Sequence, residues 1–144
     1  MSKSFSQPSF STKQTKQIAK YLALKVLKGN HHKTALILAL TGELGSGKTT
    51  FIQGFLRAVG VKKRITSPTF IIIRRYNHIY HIDCYRIKKP KEILDLGLKE
   101  IINNPQNIVL IEWADNIKKL LPRNTIWIRF KHGDKEKERI IKIL

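Results

Sequence analysis

Leu36-Ile37-Leu38-Ala39-Leu40-Thr41-Gly42-Glu43-Leu44-Gly45-Ser46-Gly47-Lys48-Thr49-Thr50 is the stretch on which the fold turns. From Gly42 to Thr49 it carries G-x-x-x-x-G-K-T, the spacing of a phosphate-binding loop. Gly42, Gly45 and Gly47 let the backbone curl so that successive N–H groups point inward and form a concave anion site. Lys48 adds a mobile positive charge aimed at β- and γ-phosphates, and the Thr49 hydroxyl is a ligand suited to Mg²⁺.

The neighbouring residues supply the context the motif requires. Thr34 to Thr41 is a nearly unbroken apolar run, as in a strand buried on both faces. Beyond Lys48, Phe51, Ile52, Phe55, Leu56 and Val59 recur at helical spacing, and Gly60 closes the segment. Strand, glycine loop and helix follow in the order a nucleotide-phosphate site needs.

The 144 residues match one ordinary domain, large enough to bury a core, and one domain over 1–144 is expected. No apolar run reaches the roughly 18 residues of a membrane span. Residues 1–10 are polar and lack an apolar signal core, so a loosely ordered N-terminal segment is expected. A single cysteine, Cys84, rules out an internal disulfide and fits a reducing compartment, hence a cytoplasmic location.

With 28 basic against 10 acidic residues the formal charge is +18. Two readings stand. One is attraction to nucleic acid or an acidic partner. The other is a compositional habit, since Lys far outnumbers Arg, Ile and Asn are abundant, and the basic residues are spread along the chain.

Ser11 or Thr12 is placed to cap a helix with apolar positions at Ile18, Leu22 and Val26, ending at Gly29-Asn30. His31-His32, with no further ligands at metal spacing, reads as a solvated pair. Phe70–Tyr76 and His78–Arg86 suggest an antiparallel hairpin around Asn77. Pro90 opens a helical stretch interrupted at Gly97, and Ile108–Ile111 reads as a buried strand ending at Glu112-Trp113. A short helix over Asn116–Leu121 and a closing hairpin around Gly133-Asp134 complete an α/β domain with a central sheet.

A phosphate loop needs a carboxylate at the end of a second strand to manage Mg²⁺. Glu112 and Asp83 both have that setting. Glu112 is assigned to Mg²⁺, directly or through water, and Asp83 to orienting the attacking water or to the outer metal shell; the two roles are exchangeable on this reasoning. Thr66-Ser67-Pro68-Thr69 is either a loop sensing the γ-phosphate or a plain Ser-Pro turn. Trp113 is either a core filler or a partner anchor. Arg86 is a candidate for neutralising transition-state charge, but no loop clearly delivers an arginine finger, so slow hydrolysis is expected unless a partner completes the site. Without an Asn-Lys-x-Asp motif, ATP is favoured over GTP.

Together these motifs resemble the bacterial TsaE (YjeE) family. The matching pieces are Gly42–Thr50, Ser67-Pro68-Thr69-Phe70, His81-Ile82-Asp83-Cys84-Tyr85-Arg86 and Ile111-Glu112-Trp113, in the family's order and at similar spacing. The likeness runs from about Ser11 to the C-terminus. It implies a P-loop NTPase-like three-layer sandwich with a central mixed sheet. It also implies a Mg-dependent ATPase subunit required for threonylcarbamoylation of the adenosine beside the anticodon, in tRNAs that read codons beginning with A. Its implied partners are the transferase TsaD, its paralogue TsaB, and tRNA directly or through the complex.

By the same resemblance, the ATP/ADP-binding loop carries over to Gly42, Glu43, Leu44, Gly45, Ser46, Gly47, Lys48, Thr49 and Thr50. The Mg²⁺ ligands become Thr49 and Glu112, the switch Ser67 and Thr69, the essential aspartate Asp83, and the adenine contacts Thr12 and Thr15. Asp83, Lys48 and Thr69 then carry the catalytic roles. The chain departs from the family in a shorter segment between the hairpin strands and a far more positive charge. A small-molecule kinase is the alternative activity; no arginine-bearing lid is evident in the short run of chain after the loop.

Overall fold

The computed structural model describes residues 5–28, 33–65 and 72–144. In chain order its elements are β1 (Phe5–Ser9), α1 (Thr12–Lys28), β2 (Leu36–Gly42), α2 (Lys48–Ala58), β3 (Ile73–Tyr76), β4 (Ile79–Asp83), α3 (Pro90–Leu94), α4 (Leu98–Ile102), β5 (Ile108–Glu112), β6 (Ile126–His132) and β7 (Arg139–Ile143). A 3-10 helix spans Ala114–Leu120. The strands form one mixed sheet in the order β1-β7-β6-β2-β5-β4-β3. This is the expected α/β fold with a central mixed sheet. The chain folds as two compact units interleaved in sequence: Met1–Asn30, Thr41–Thr66 and Ile128–Leu144 in one, His31–Leu40 and Ser67–Trp127 in the other.

In the first unit α1 starts at a side-chain cap. The Ser11 hydroxyl accepts from the Gln14 amide at 3.1 Å, and the Gln14 side chain accepts from the Phe10 amide at 2.7 Å. This resembles a capping box, with the return bond taken one residue early. Thr15, Ile18, Ala19, Leu22 and Ala23 repeat every three to four positions and form the buried face. On α2 the buried residues include Phe51, Ile52, Gly54, Phe55 and Leu56. The two helices touch at backbone distance: a Cβ on Gly54 would lie 2.7 Å from Lys16 Cα.

The same unit holds the closing hairpin, in which β6 and β7 pair antiparallel and His132 faces Arg139. Residues 5–9, expected to be loosely ordered, instead form β1 against β7, from Phe5↔Ile143 to Ser9↔Arg139. Nothing in Phe-Ser-Gln-Pro-Ser announces a strand. As an edge strand it tolerates Pro8, whose missing N–H can face away from the ladder.

In the second unit β4 and β5 run parallel, as do β2 and β5 through Leu40↔Glu112. β3 and β4 make the expected hairpin, with Asn77 in its turn at φ +57°. Ala35, Ile37, Ala39, Ile82, Val109 and Ile111 point to one face and join Ile93, Leu98, Ile102 and Ile117 in a single core. Since side chains alternate along a strand, His81, Asp83 and Glu112 point to the opposite face. The expected break at Gly97 separates α3 from α4, with Gly97 at φ +93°. Among the described residues, no helix is long and apolar enough to cross a membrane.

Candidate functional site

The glycine loop runs from the end of β2 into α2. Gly42 has φ +141°, and a Cβ there would overlap the Phe130 carbonyl oxygen while lying 3.0 Å from Ser46 Oγ. No other residue fits. Gly47 sits at φ +103° as the N-cap of α2, the backbone bend that turns the loop into the helix. The expected residues Gly42, Glu43, Leu44, Gly45, Ser46, Gly47, Lys48, Thr49 and Thr50 are contiguous, so the turn itself brings them together.

Lys48 is buried although charged, with 5% exposure. Such a group must be compensated, and the loop does this with carbonyls. Lys48 Nζ donates to the Gly42 carbonyl, to the Glu43 carbonyl at 2.8 Å and to Ser46 Oγ at 3.5 Å. Ser46 Oγ in turn donates to the Glu43 carbonyl at 2.5 Å. The ammonium therefore lies folded into the loop. A glycine loop that excludes a Cβ at Gly42 and takes positive φ at Gly45 and Gly47, with a cation already gathered over it, fits a polyphosphate chain.

Two more residues of the first unit touch the loop from outside. His132 Nε2 lies 3.2 Å from the Leu44 carbonyl, and Arg139 Nε donates to the Gly45 carbonyl at 3.1 Å. Neither was singled out by the sequence, because each is far along the chain from the loop and carries no motif. A cavity of about 410 Å³ beside the loop is lined by Thr41, Gly42, Glu43, Arg129, Phe130, Lys131 and His132. Of the two threonines implied near adenine, Thr12 is exposed at the start of α1 and Thr15 is buried. The Thr15 hydroxyl bonds Ser9 Oγ at 2.7 Å, and its Cγ2 lies 4.0 Å from the Cβ position of Gly47.

The second unit holds the carboxylates. Register places Asp83 directly beside Glu112 on neighbouring parallel strands. Both are buried. Glu112 Oε2 lies 2.7 Å from Nε2 of His81, which is wholly buried. The Asp83 carboxylate accepts from the Tyr85 amide at 2.9 Å, a bond that shapes the turn after β4. Arg86 lies exposed in that turn. Trp113 follows Glu112 at φ +55°, packs at the edge of the core and meets the Tyr85 ring at 5.0 Å.

Cys84 is buried; that burial, with the Asp83 and Asp115 carboxylates nearby, pushes its thiol from an ordinary 9.0 up to about 12. It is a core side chain, not a nucleophile. Ser67, Thr69 and the pair His31-His32 lie outside the described residues.

The family model for the threonylcarbamoyl adenosine biosynthesis protein TsaE matches residues 9–141. A tRNA threonylcarbamoyladenosine biosynthesis protein TsaE from Bacillus subtilis is 41% identical over 130 residues, covering 87% of this chain and 77% of the relative. One from Rickettsia typhi is 41% identical over 132 residues, covering 88% and 86%. The crystal structure of Bacillus subtilis YdiB matches with a TM-score of 0.77 at 33% identity, covering 99% of this chain and 86% of that one. The matched segment takes in the glycine loop, the Asp83 strand and the Glu112 strand alike, and the chain belongs to the TsaE family.

Proposed function

We propose that this chain is an ATP-binding, slowly hydrolysing subunit that serves the formation of threonylcarbamoyladenosine in tRNA. The observation that carries the reading is the glycine cradle with the buried Lys48 ammonium drawn over it. Carbonyl oxygens are weaker partners for an ammonium than phosphate oxygens. On this reading Lys48 exchanges the Gly42 and Glu43 carbonyls for the β- and γ-phosphates, while loop amides line the remainder of the anion.

Thr49 and Glu112 are the proposed Mg²⁺ ligands. Mg²⁺ is commonly held by one or two protein oxygens together with substrate phosphates, so a hydroxyl and a carboxylate are a sufficient contribution. When bound, the ion would neutralise charge building up on the phosphates. Asp83 is proposed to hold the attacking water, and Thr69, with Ser67, to respond to the γ-phosphate. Thr12 and Thr15 are the proposed adenine neighbours. The transferase TsaD and its paralogue TsaB are the proposed partners, bringing tRNA to the same assembly in the cytoplasm.

Calorimetric titration of the purified chain with ADP, followed by an ATPase assay alone and with the transferase pair plus tRNA, tests this. The expected result is ADP binding, weak turnover alone and stimulated turnover in the mixture. Lys48→Ala is expected to weaken nucleotide binding and lower stimulated turnover by about 10²-fold or more, the scale lost with one transition-state charge contact. Full turnover by that variant would refute the mechanism. Phosphate transfer to a metabolite without partners would point to a kinase instead.

A further inference from the structure

Four consecutive carbonyls of the loop, from Gly42 to Gly45, each have a donor. Lys48 serves the Gly42 and Glu43 carbonyls. His132 and Arg139 serve those of Leu44 and Gly45. The two pairs differ in what an arriving anion does to them. On the reading above Lys48 exchanges its carbonyls for phosphate, whereas the hairpin side chains hold carbonyls that Lys48 does not touch.

A carbonyl and the next residue's N–H share one rigid plane and point in opposite directions. Holding the Leu44 carbonyl fixes the plane that carries the Gly45 amide. Holding the Gly45 carbonyl fixes the plane of the Ser46 amide, which closes the turn onto the Glu43 carbonyl at 3.2 Å. Arg139 is itself pinned, because its Nη1 donates to the Glu136 and Glu138 carbonyls at 2.8 and 2.9 Å. His132 and Arg139 face each other in register across the hairpin, so one two-stranded element delivers both contacts.

We propose that His132 and Arg139 are positioning residues that keep the apex of the loop shaped for a polyphosphate before it arrives, an inference that rests on the nucleotide-binding reading above. A loop ordered in advance loses less freedom on binding, so its affinity is higher. The effect comes from geometry and not from the bare charge of Arg139. A lysine at 139 keeps the charge but lacks the planar fork that spans three carbonyls.

The test is ADP affinity by calorimetry on the full chain, with melting curves, for Arg139→Ala, Arg139→Lys, His132→Ala and His132→Gln. Both Arg139 variants are expected to bind about tenfold more weakly, the loss that goes with one charge-assisted hydrogen bond. His132→Ala is expected to lose several-fold, while His132→Gln, which retains an N–H donor, binds within about twofold of the unaltered chain. In the ligand-free protein the Gly45 and Ser46 amides should exchange hydrogen faster in His132→Ala than in His132→Gln.

Binding by Arg139→Ala and His132→Ala within twofold of the unaltered chain would overturn the proposal, as would full recovery by Arg139→Lys, which would mean charge alone. If the Arg139 variants do not melt cooperatively, the exposed His132 pair decides. Lys48→Ala separates this idea from the reading beneath it. An unaltered chain that binds no ADP defeats both, whereas loss in Lys48→Ala with undiminished binding in the hairpin variants defeats only the positioning role.

Discussion

Burial governs the behaviour of single residues here. Cys84 has a thiol pushed up to about 12, first by removal from water and then by the Asp83 and Asp115 carboxylates. Its folded pKa exceeds the ordinary 9.0, so the group favours the folded state below pH 9 and that contribution is lost as pH rises toward 12. Iodoacetamide at about pH 8 should alkylate the native chain at least two orders of magnitude more slowly than the urea-unfolded chain. Rapid native labelling would mean that the strand end opens. Glu112 is buried as well. A carboxylate in the interior needs a partner, and His81 at 2.7 Å supplies one. His81→Phe removes that hydrogen-bonding partner, and the expected cost is about 1–3 kcal/mol, read from the urea midpoint.

Among the elements, the α1–α2 contact depends on one missing methyl. Gly54→Ala gains about 1 kcal/mol of helix propensity. Against this, the new Cβ would come within 2.9 Å of Lys16 Cβ and of the Lys16 carbonyl oxygen, as well as 2.7 Å from its Cα. Overpacking against backbone costs about 1–3 kcal/mol, and backbone yields least. We expect net destabilisation of about 1–2 kcal/mol in chemical denaturation, with the helices spread apart. A stabilised Gly54→Ala would show that α1 slides easily. β1 is the element that pattern-reading missed, since its residues carry no alternation and its partner β7 lies at the far end of the chain.

On the scale of the whole molecule the dominant quantity is the charge of +18. α1 alone carries Lys13, Lys16, Lys20, Lys25 and Lys28 without one acidic residue. A surface of this sign should bind RNA through phosphates without regard to sequence. An interaction using about six phosphates loses about 10³-fold in affinity between roughly 50 and 200 mM salt. Filter binding of tRNA to the purified chain across that range should show the steep slope. No binding at low salt would leave the charge as a matter of composition.

How much of this was legible beforehand follows from distance along the chain. The glycine loop, the strand before it, the helix after it and the break at Gly97 rest on neighbouring residues, and their patterns of three to four, of two, and of obligatory glycine can be read in a line. The family's separate motifs could be read in the same way. The partnerships could not. His132 meets Leu44 and Arg139 meets Gly45 across 88 and 94 positions, and His81 meets Glu112 across 31. Such contacts exist only once the sheet has set its strand order and register. The residues by themselves determined a glycine turn between a strand and a helix in an α/β chain; tertiary pairing alone decided which side chains touch that turn and which histidine accompanies the buried carboxylate, because hydrogen bonds of fixed length select partners by position in space.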